Sequence, residues 1–481
     1  MQDSGHFMST RLFHALCFFA LAVVSSGVAG SESKPNIVFF LADDLGWTGL
    51  RCFGSDFYET PNLDRLAEEG MKFTDAYAAC TVCSPTRASI LTGKYPARLR
   101  LTSFIPGQER PFAKLTIPDW TKGLQASETT LPEVLQANGY KTLHVGKWHL
   151  DFPNRPDAGP TSHGFDFSAD KPKGTKGFYL SEKTQKELGT ESGYLTDYLA
   201  DLAVAKIEEN KAGPFFLYFA FHVPHTPIQG REDLVAEFSA KVDPEAVHRN
   251  PTYAAMVKSM DLAVGRVIAA LEDNGLADNT LIVFTSDNGG LTRRYGKHDE
   301  FTENMPLRRG KGSAYEGGVR VPAIVKWPGH TAAGSVSSGP VSSIDWMPTF
   351  LEVAGITAED KDEDTLDGVS LVPRLKDDGS IPERDLFWHF PHYHAGGDGP
   401  YSAIRSGDWK LIERHEDGGQ ELYDLENDPG ETMNLFMEKP QVAARLEQKL
   451  IQWRQELAAQ MPTPNPNYDA EKATELAKRK K

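Results

Sequence analysis

Three largely apolar runs constrain the fold of this chain more than any other feature. They cover residues 36–42, 215–221 and 280–286. A strand without polar alternation is typical of a parallel sheet whose two faces are both covered by helices. An apolar-faced helix over residues 253–271 leads through a glycine-containing turn into the third run, which is half of a parallel crossover. The sequence therefore predicts an α/β fold with a large, mostly parallel central sheet.

Acidic and amide side chains follow two of these runs. Asp43 and Asp44 come directly after the first run, and Asp287 and Asn288 come after the third. Ligands gather at the carboxyl ends of strands in open α/β sheets. Taken alone, the Asp-Asp pair could equally be a solvated turn, but two matching strand ends favour a site for a hard cation. Oxygen side chains suit Ca²⁺ or Mg²⁺ much better than zinc.

The segment 80–93 is a turn that leads into a helix and ends at Gly93. Pro85 suits the first helical turn. Cys83 then lies at the helix start, where free N–H groups favour negative charge, and Arg87 follows one turn later. An isolated cysteine here would more often be a buried one. Cys80 and Cys83 could also form a redox or zinc pair, but no second Cys/His cluster follows to complete a zinc site.

Basic residues recur near the ends of the predicted strands. A strand over 140–149 places Lys147 and His149 on one face, as a cation and a proton carrier. The second apolar run, residues 215–221, continues into His-Val-Pro-His-Thr-Pro, where prolines fix His222 and His225 on a loop. A basic glycine-rich loop with Lys311 follows the second acidic strand end, although such loops are commonly only solvated turns.

The remaining segments indicate the domain organisation. We expect a signal peptide over 1–30, because an arginine precedes a short apolar run and small residues follow it. We expect an α/β domain over 34–385. Short strands, turns and an apolar-faced helix then predict a small antiparallel sheet with a packed helix over 386–461. The polar tail 462–481 is predicted to be disordered. The sequence leaves two regions undecided. The loop region 97–125 is either a specificity element or a surface loop. The histidines of 388–394 either reach a cleft, form a metal-like cluster or simply pack against their neighbours.

Composition limits partners and location. The chain has 51 Lys and Arg against 67 Asp and Glu, which argues against nucleic-acid binding. The predicted signal peptide indicates export, to a periplasm or outside the cell. With the signal removed, no stretch predicts stable membrane insertion. Too few cysteines remain for a disulfide scaffold, and a bond between Cys52 and Cys80 is left open.

Several blocks resemble type I sulfatases, including arylsulfatases and N-acetylgalactosamine sulfatases, in the family's order. They are Cys-Ser-Pro-Thr-Arg at 83–87, Thr-Pro-Asn-Leu-Asp at 60–64, Gly-Lys-Trp-His at 146–149 and His-Val-Pro-His-Thr-Pro at 222–227. The resemblance implies an alkaline-phosphatase-like sandwich and a cysteine oxidised to formylglycine by a formylglycine-generating enzyme. It implies one Ca²⁺ held by Asp43, Asp44, Asp287, Asn288 and the side chain at position 83. The catalytic residues that it implies are Cys83, Arg87, Lys147, His149, His225 and Lys311.

The function expected from this resemblance is hydrolysis of sulfate esters, on a sulfated carbohydrate or an aryl sulfate. His225, with Lys311 nearby, would protonate the leaving alcohol, and His149 would act as the base. Sulfated polysaccharide breakdown is the expected context, with a galactose- or N-acetylgalactosamine-type sugar. Two alternatives stay open: a phosphonate or phosphodiester hydrolase on the same scaffold, and an inactive glycan-binding homologue.

Overall fold

The computed structural model describes residues 34–152, 158–292, 301–356, 366–376 and 379–479. The predicted signal peptide lies outside these residues. The part of the chain from Lys34 onward forms one compact unit. Within the described ranges, no helix has both the length and the apolarity needed to cross a membrane.

Seventeen strands are found in the described residues. In chain order they are β1 (Asn36–Ala42), β2 (Met71–Tyr77), β3 (Leu115–Thr116), β4 (Lys141–Gly146), β5 (Phe167–Ala169), β6 (Thr175–Lys176), β7 (Tyr179–Leu180), β8 (Phe215–Ala220), β9 (Thr280–Ser286), β10 (Arg320–Lys326), β11 (Ser335–Ser337), β12 (Val341–Ser342), β13 (Leu386–Phe390), β14 (Tyr401–Ser406), β15 (Trp409–Arg414), β16 (Gln420–Asp424) and β17 (Thr463–Pro464).

The central sheet has nine strands and is mostly parallel, as the sequence predicts. Its order is β11-β2-β10-β9-β1-β8-β4-β5, and β12 also pairs with β2. Strand β1 lies between β9 and β8 and is parallel to both. The antiparallel strand is β10, which pairs with β9 and β2. The two acid-bearing strands β1 and β9 are therefore neighbours, with their carboxyl ends at the same edge.

Side chains of β1 alternate between two apolar layers. Val38 and Phe40 pack in one layer, and Ile37 and Phe39 pack in the other, all fully buried. Because both faces of the strand are covered, every position from Ile37 to Ala42 selects an apolar residue. This explains the unbroken run that the sequence shows.

Thirteen α-helices are found in the described residues. In chain order they are α1 (Pro61–Glu69), α2 (Cys83–Thr92), α3 (Pro96–Leu99), α4 (Leu131–Ala137), α5 (Glu182–Leu188), α6 (Leu195–Asn210), α7 (Glu232–Ser239), α8 (Pro251–Asp273), α9 (Glu316–Val319), α10 (Trp346–Val353), α11 (Val372–Leu375), α12 (Pro440–Glu456) and α13 (Ala470–Arg479). Helices α1, α6, α7 and α8 contribute to one apolar layer, and α2, α4 and α10 contribute to the other.

A second, antiparallel sheet follows, in the order β13-β14-β15-β16. One of its faces packs against α12, through residues such as Leu446 and Leu450. Its other face packs against the segment that precedes α2, through Trp388 and Val82. The predicted sheet-and-helix architecture is thus present. We keep the boundary near residue 385 as a proposal, since both sheets lie in one compact unit.

The segment after residue 462 differs from the predicted disorder. Thr463–Pro464 pair with Leu115–Thr116, and the Asn465 side-chain amide donates to the carbonyls of Pro111 and Ala113. Helix α13 follows. A polar composition does not predict such specific hydrogen bonds, which hold the segment along the 111–116 loop.

Candidate functional site

The carboxyl ends of β1 and β9 bring the four predicted oxygen ligands together. The backbone N–H of Asp44 donates to Asp287 Oδ1 at 3.1 Å. The Asn288 side-chain amide donates to Asp44 Oδ1 at 2.8 Å. All three side chains, and that of Asp43, are almost completely buried. Buried carboxylates this close need cations to balance their charge.

Cys83 is the first residue of α2 and points at the same group. Its Sγ lies 3.5 Å from Asp43 Oδ1 and 3.9 Å from Asp44 Oδ1. The Thr86 hydroxyl ties the turn by accepting from the Cys80 N–H and donating to the Cys80 carbonyl, each at 3.1 Å. Helix α2 ends at Gly93, whose φ is 66°, as the sequence predicts. Cys52, Cys80 and Cys83 are free thiols, so the Cys52–Cys80 bond is absent.

Arg87 projects from the second turn of α2 and is fully buried. Its Nε and Nη2 atoms both donate to Asp287 Oδ2, at 3.0 and 2.8 Å, and Nη1 donates to the Lys147 carbonyl at 2.8 Å. Nη2 lies 3.7 Å from Asp43 Oδ1. Its planar donors are therefore held in one orientation.

Two lysines complete the positive charge. Lys147 Nζ donates to Asp43 Oδ2 at 2.6 Å. Lys311 Nζ lies 2.6 Å from Asp44 Oδ1 and 2.8 Å from Oδ2, and 3.4 Å from Cys83 Sγ. Three carboxylates and three cations therefore surround Cys83 Sγ. The carboxylates are those of Asp43, Asp44 and Asp287, and the cations are Arg87, Lys147 and Lys311.

The predicted strand placement of Lys147 and His149 is wrong. Strand β4 ends at Gly146, whose φ of 102° and close approach to the Ala220 carbonyl exclude a side chain. His149 itself has a φ of 59°. Both residues nevertheless line the cavity that contains Cys83, because the loop after the strand turns them there.

The two ring nitrogens of His149 have different environments. Its Nε2 donates to the Ile105 carbonyl at 2.7 Å. Its Nδ1 is buried without a hydrogen-bond partner among the described residues. Burial and the nearby Lys147 lower the pKa of His149 to about 3, so the ring is neutral and Nδ1 carries a free lone pair. A neutral nitrogen of this kind can accept a proton.

His225 and His222 occupy different positions in the same cavity. His225 Nδ1 donates to the Thr226 carbonyl at 2.7 Å, and Nε2 lies 3.6 Å from Asp44 Oδ2. Burial, with Lys311 nearby, lowers the pKa of His225. His222 Nε2 pairs with Asp170 Oδ1 at 2.6 Å. Of the histidines at 388–394, His394 lines the cavity, whereas His389 and His392 bond elsewhere.

The electrostatics favour ionised carboxylates at β1. Burial raises the pKa of Asp43, but Lys147 and His225 together with Arg87 outweigh it and hold that pKa well below its usual range. The pKa of Asp44 is also lowered, chiefly by Lys311 against the effect of burial. Burial raises the pKa of Asp287 to about 6, although Arg87 binds it. Further positive charge would stabilise the ionised form of this carboxylate.

The residues fit a bound divalent cation. Asp43, Asp44, Cys83 and His225 each offer a ligand atom, and these atoms lie within 4.8 Å of one another. Asn288 Oδ1 is buried without a hydrogen-bond partner in the described part of the chain, so an acceptor oxygen remains free at the same place. The donors are mainly hard oxygens, as Ca²⁺ requires. His225, which the sequence reasoning assigned to proton transfer, also lies within this group.

The cavity has a volume of about 530 Å³. The structure assigns part of the 97–125 loop region to it, since Phe104 and Gln108 line the wall. Lys171 and Leu291 also line it, and the sequence analysis missed both. They lie on irregular loops, where neither periodicity nor a motif marks them.

The chain is similar to known proteins over most of its length. The sequence matches the family model described as "Sulfatase" over residues 35–356 and the model "N-sulphoglucosamine sulphohydrolase, C-terminal" over residues 310–456. It is 34% identical to a sulfatase from Formosa agariphila, covering 92% of this chain and 94% of that protein. It is also 34% identical to human arylsulfatase A, covering 86% of each.

Solved structures give the same result. The crystal structure of Ps i-CgsB in complex with k-i-k-neocarrahexaose is 30% identical and has a TM-score of 0.74, covering 93% of this chain and 97% of that one. The similarity extends over both sheets, because it covers nearly the whole chain.

Proposed function

This chain belongs to the sulfatase family and is a sulfuric ester hydrolase, and we propose that it uses a formylglycine at position 83 and one Ca²⁺ to remove sulfate from a sulfated carbohydrate. One observation carries this proposal. The Sγ atom of Cys83 lies 3.5 Å from Asp43 Oδ1 and 3.4 Å from Lys311 Nζ, at a buried point between carboxylates and cations.

The unmodified thiol is a poor nucleophile at this place. Burial raises the pKa of Cys83, and the cations Lys147 and Lys311 do not offset it. The thiolate is the nucleophilic form, so the thiol would be largely unreactive near neutral pH. Conversion to formylglycine supplies an aldehyde whose hydrate offers a hydroxyl nucleophile, and Ca²⁺ would act as a Lewis acid on oxygen atoms near it.

The proposed metal ligands are Asp43, Asp44, Asp287, Asn288 and the side chain at position 83. Three carboxylates and three cations balance before a metal binds. A divalent cation then leaves two net positive charges, which favour a doubly charged oxyanion such as the sulfate group during transfer. Lys147, Lys311 and Arg87 orient that group, since each is held by a carboxylate and cannot turn away.

Two histidines carry protons in this scheme. His149 would accept, at Nδ1, the proton of the second hydroxyl of the formylglycine hydrate, so that sulfate leaves as the C–O bond breaks and the aldehyde returns. Its Nε2 is committed to the Ile105 carbonyl. His225 faces the metal group through Nε2, and in its protonated form it delivers a proton to the leaving oxygen, with Lys311 beside it.

One structural relative supports the proposed substrate class. The neocarrahexaose bound to Ps i-CgsB supports a sulfated polysaccharide fragment. An exported location, through the signal peptide predicted over residues 1–30, would bring the enzyme to such material.

The test uses protein produced together with a formylglycine-generating enzyme and loaded with calcium. We expect release of sulfate from 4-nitrophenyl sulfate and from sulfated oligosaccharides, and loss of both in Cys83→Ala. Faster hydrolysis of a phosphonate or phosphate diester would favour the first alternative function. Oligosaccharide binding without any hydrolysis, despite confirmed formylglycine, would favour an inactive glycan-binding protein.

A further inference from the structure

A second cavity adjoins the one that contains Cys83. Its volume is about 390 Å³, and the His394 side chain is part of the wall of both cavities. The 104–114 loop borders both as well, with Gln108 in the first cavity and Arg110 in the second. A ligand longer than one sugar ring that reaches past His394 would enter the second cavity.

We propose that this second cavity is a subsite for a neighbouring, negatively charged sugar ring of an oligosaccharide substrate. The proposal rests on the proposed function, since it extends the substrate from the ring that loses sulfate to the ring beside it. Three features carry it: an unpaired guanidinium, a set of aromatic side chains and a wall that lies outside the family matches.

The guanidinium belongs to Arg110. No acidic side chain among the described residues pairs with it, and its Nε is buried without a hydrogen-bond partner among them. A buried donor without a partner is costly, and native proteins rarely keep one. A sulfate or carboxylate oxygen in the cavity would satisfy it with a charge-assisted bond.

The other charges of the cavity leave it net positive. Asp398 is engaged by Arg414 at 3.0 Å and by the Ser313 hydroxyl at 2.6 Å, so its charge is compensated. Glu416 accepts from the Tyr393 hydroxyl at 3.0 Å. Arg110 and the exposed Lys114 then exceed the single remaining carboxylate. A negatively charged ligand is therefore favoured over a neutral one.

Aromatic rings line the same space. Tyr393 is fixed, since its hydroxyl also accepts from the Leu115 N–H at 3.1 Å. Tyr468 is 51% exposed, and Phe112 is half-buried. Partly exposed aromatic side chains present apolar faces, and the two tyrosines also present a polar tip, which suits the mixed surface of a sugar ring.

The tail of the chain builds one wall. Tyr468, Ala470 and Thr474 line the cavity, and they are held there by the pairing of Thr463–Pro464 with the 111–116 loop. This segment lies beyond residue 456, where the second family match ends. The second cavity is thus bordered by a segment beyond that match, and it is separate from the cavity that contains Cys83.

The test compares one small substrate with sulfated tetrasaccharides. The probes are 4-nitrophenyl sulfate, which fills only the first cavity, and tetrasaccharides of carrageenan, chondroitin sulfate and heparin. For each variant, kcat/KM is measured on the aryl sulfate, and tetrasaccharide affinity is measured by inhibition of that reaction. Carrageenan probes carry sulfate alone, and the other two also carry carboxylates, so the panel separates the two anions.

We expect Arg110→Ala and Tyr468→Ala each to lower the affinity for at least one tetrasaccharide about tenfold. The kcat/KM for the aryl sulfate should stay unchanged in both variants. The matched control is Arg445→Ala, an exposed arginine of α12 that lines neither cavity. Unchanged affinity for every tetrasaccharide in both variants would overturn the subsite. A parallel loss on the aryl sulfate would also overturn it, by placing the effect in the first cavity.

The subsite and the catalytic proposal fail in different ways. If the wild-type protein hydrolyses no sulfate ester, the proposed function fails, and titration calorimetry of the same tetrasaccharides with Cys83→Ala still decides the subsite. Equal binding heats and affinities in Cys83→Ala and in its double variant with Arg110→Ala would then refute it.

Discussion

Two buried lysines provide a sharp test of the site, because only one of them faces the reacting group. Lys311 Nζ lies 2.6 Å from Asp44 Oδ1 and 3.4 Å from Cys83 Sγ. Lys410 is fully buried and lies 2.8 Å from Glu316 and 3.0 Å from Glu431, away from the cavity that contains Cys83. Each is replaced by Met, which keeps the length of the side chain and removes its charge.

The magnitude expected for Lys311→Met follows from charge and distance. A unit charge about 4 Å from an anionic oxygen contributes about 4 kcal/mol at an effective dielectric constant of about 20. Removing one preorganised donor from an oxyanion site costs about 2.7–4 kcal/mol in the activation free energy. We therefore expect kcat/KM for 4-nitrophenyl sulfate to fall by about 10²–10³-fold in Lys311→Met.

Lys410→Met should behave in the opposite way. Loss of one partner from a buried ion pair destabilises a protein by about 3–5 kcal/mol, because the remaining charges stay buried. We expect a lower melting temperature and near-normal kcat per folded molecule. Steady-state kinetics and thermal unfolding of both variants provide the measurements. A Lys311→Met enzyme within tenfold of wild type, or an equal catalytic loss in folded Lys410→Met, would refute the assignment of Lys311.

Three further predictions concern position 83, the metal and the buried glutamate. The active protein should yield a peptide spanning residue 83 with the mass of formylglycine in place of cysteine, and full activity with unmodified Cys83 would exclude the modification. Calcium should raise the melting temperature of the wild-type protein but not that of Asp43→Ala, and an equal increase in both would remove Asp43 from the metal site. Burial raises the pKa of Glu431 from 4.5 to about 7. Between these two pH values the native state holds a proton that the unfolded chain has lost, so the free energy of unfolding should fall as pH rises across that interval. Denaturant titrations should show this slope flattened in Glu431→Gln, and an unchanged slope would contradict the prediction.

The sequence predicted the structure best where a local physical requirement determines the residue type. Asp43 and Asp287 could be placed together because parallel strands end at the same edge of a sheet. Gly93 could be placed at the end of α2 because the chain needs a positive φ there. These inferences needed only local patterns and the geometry of a parallel sheet.

The sequence did not predict features of the chain path that depend on contacts between residues distant in sequence. Strand β4 stops at Gly146, where φ is 102° and the Ala220 carbonyl leaves no room for a side chain, and no periodicity in 140–149 shows this. The tail is anchored by Asn465, whose two amide hydrogen bonds reach carbonyls more than 350 residues away in the chain. Lys171 enters the cavity from a loop without a motif. Each outcome is a tertiary effect, which composition does not encode.

The second sheet contributes to the position of the reacting residue, although none of its strands carries a proposed catalytic group. Trp388 Nε1 donates to the Ala78 carbonyl at 2.9 Å, just before the turn that leads to Cys83. The Thr81 hydroxyl donates to the Ser313 carbonyl at 2.9 Å, so the same turn is also tied to the loop that carries Lys311. The start of α2 is therefore held from two sides. Since a displacement of about 1 Å can cost about 10²-fold in rate, both contacts are expected to matter for catalysis as well as for stability.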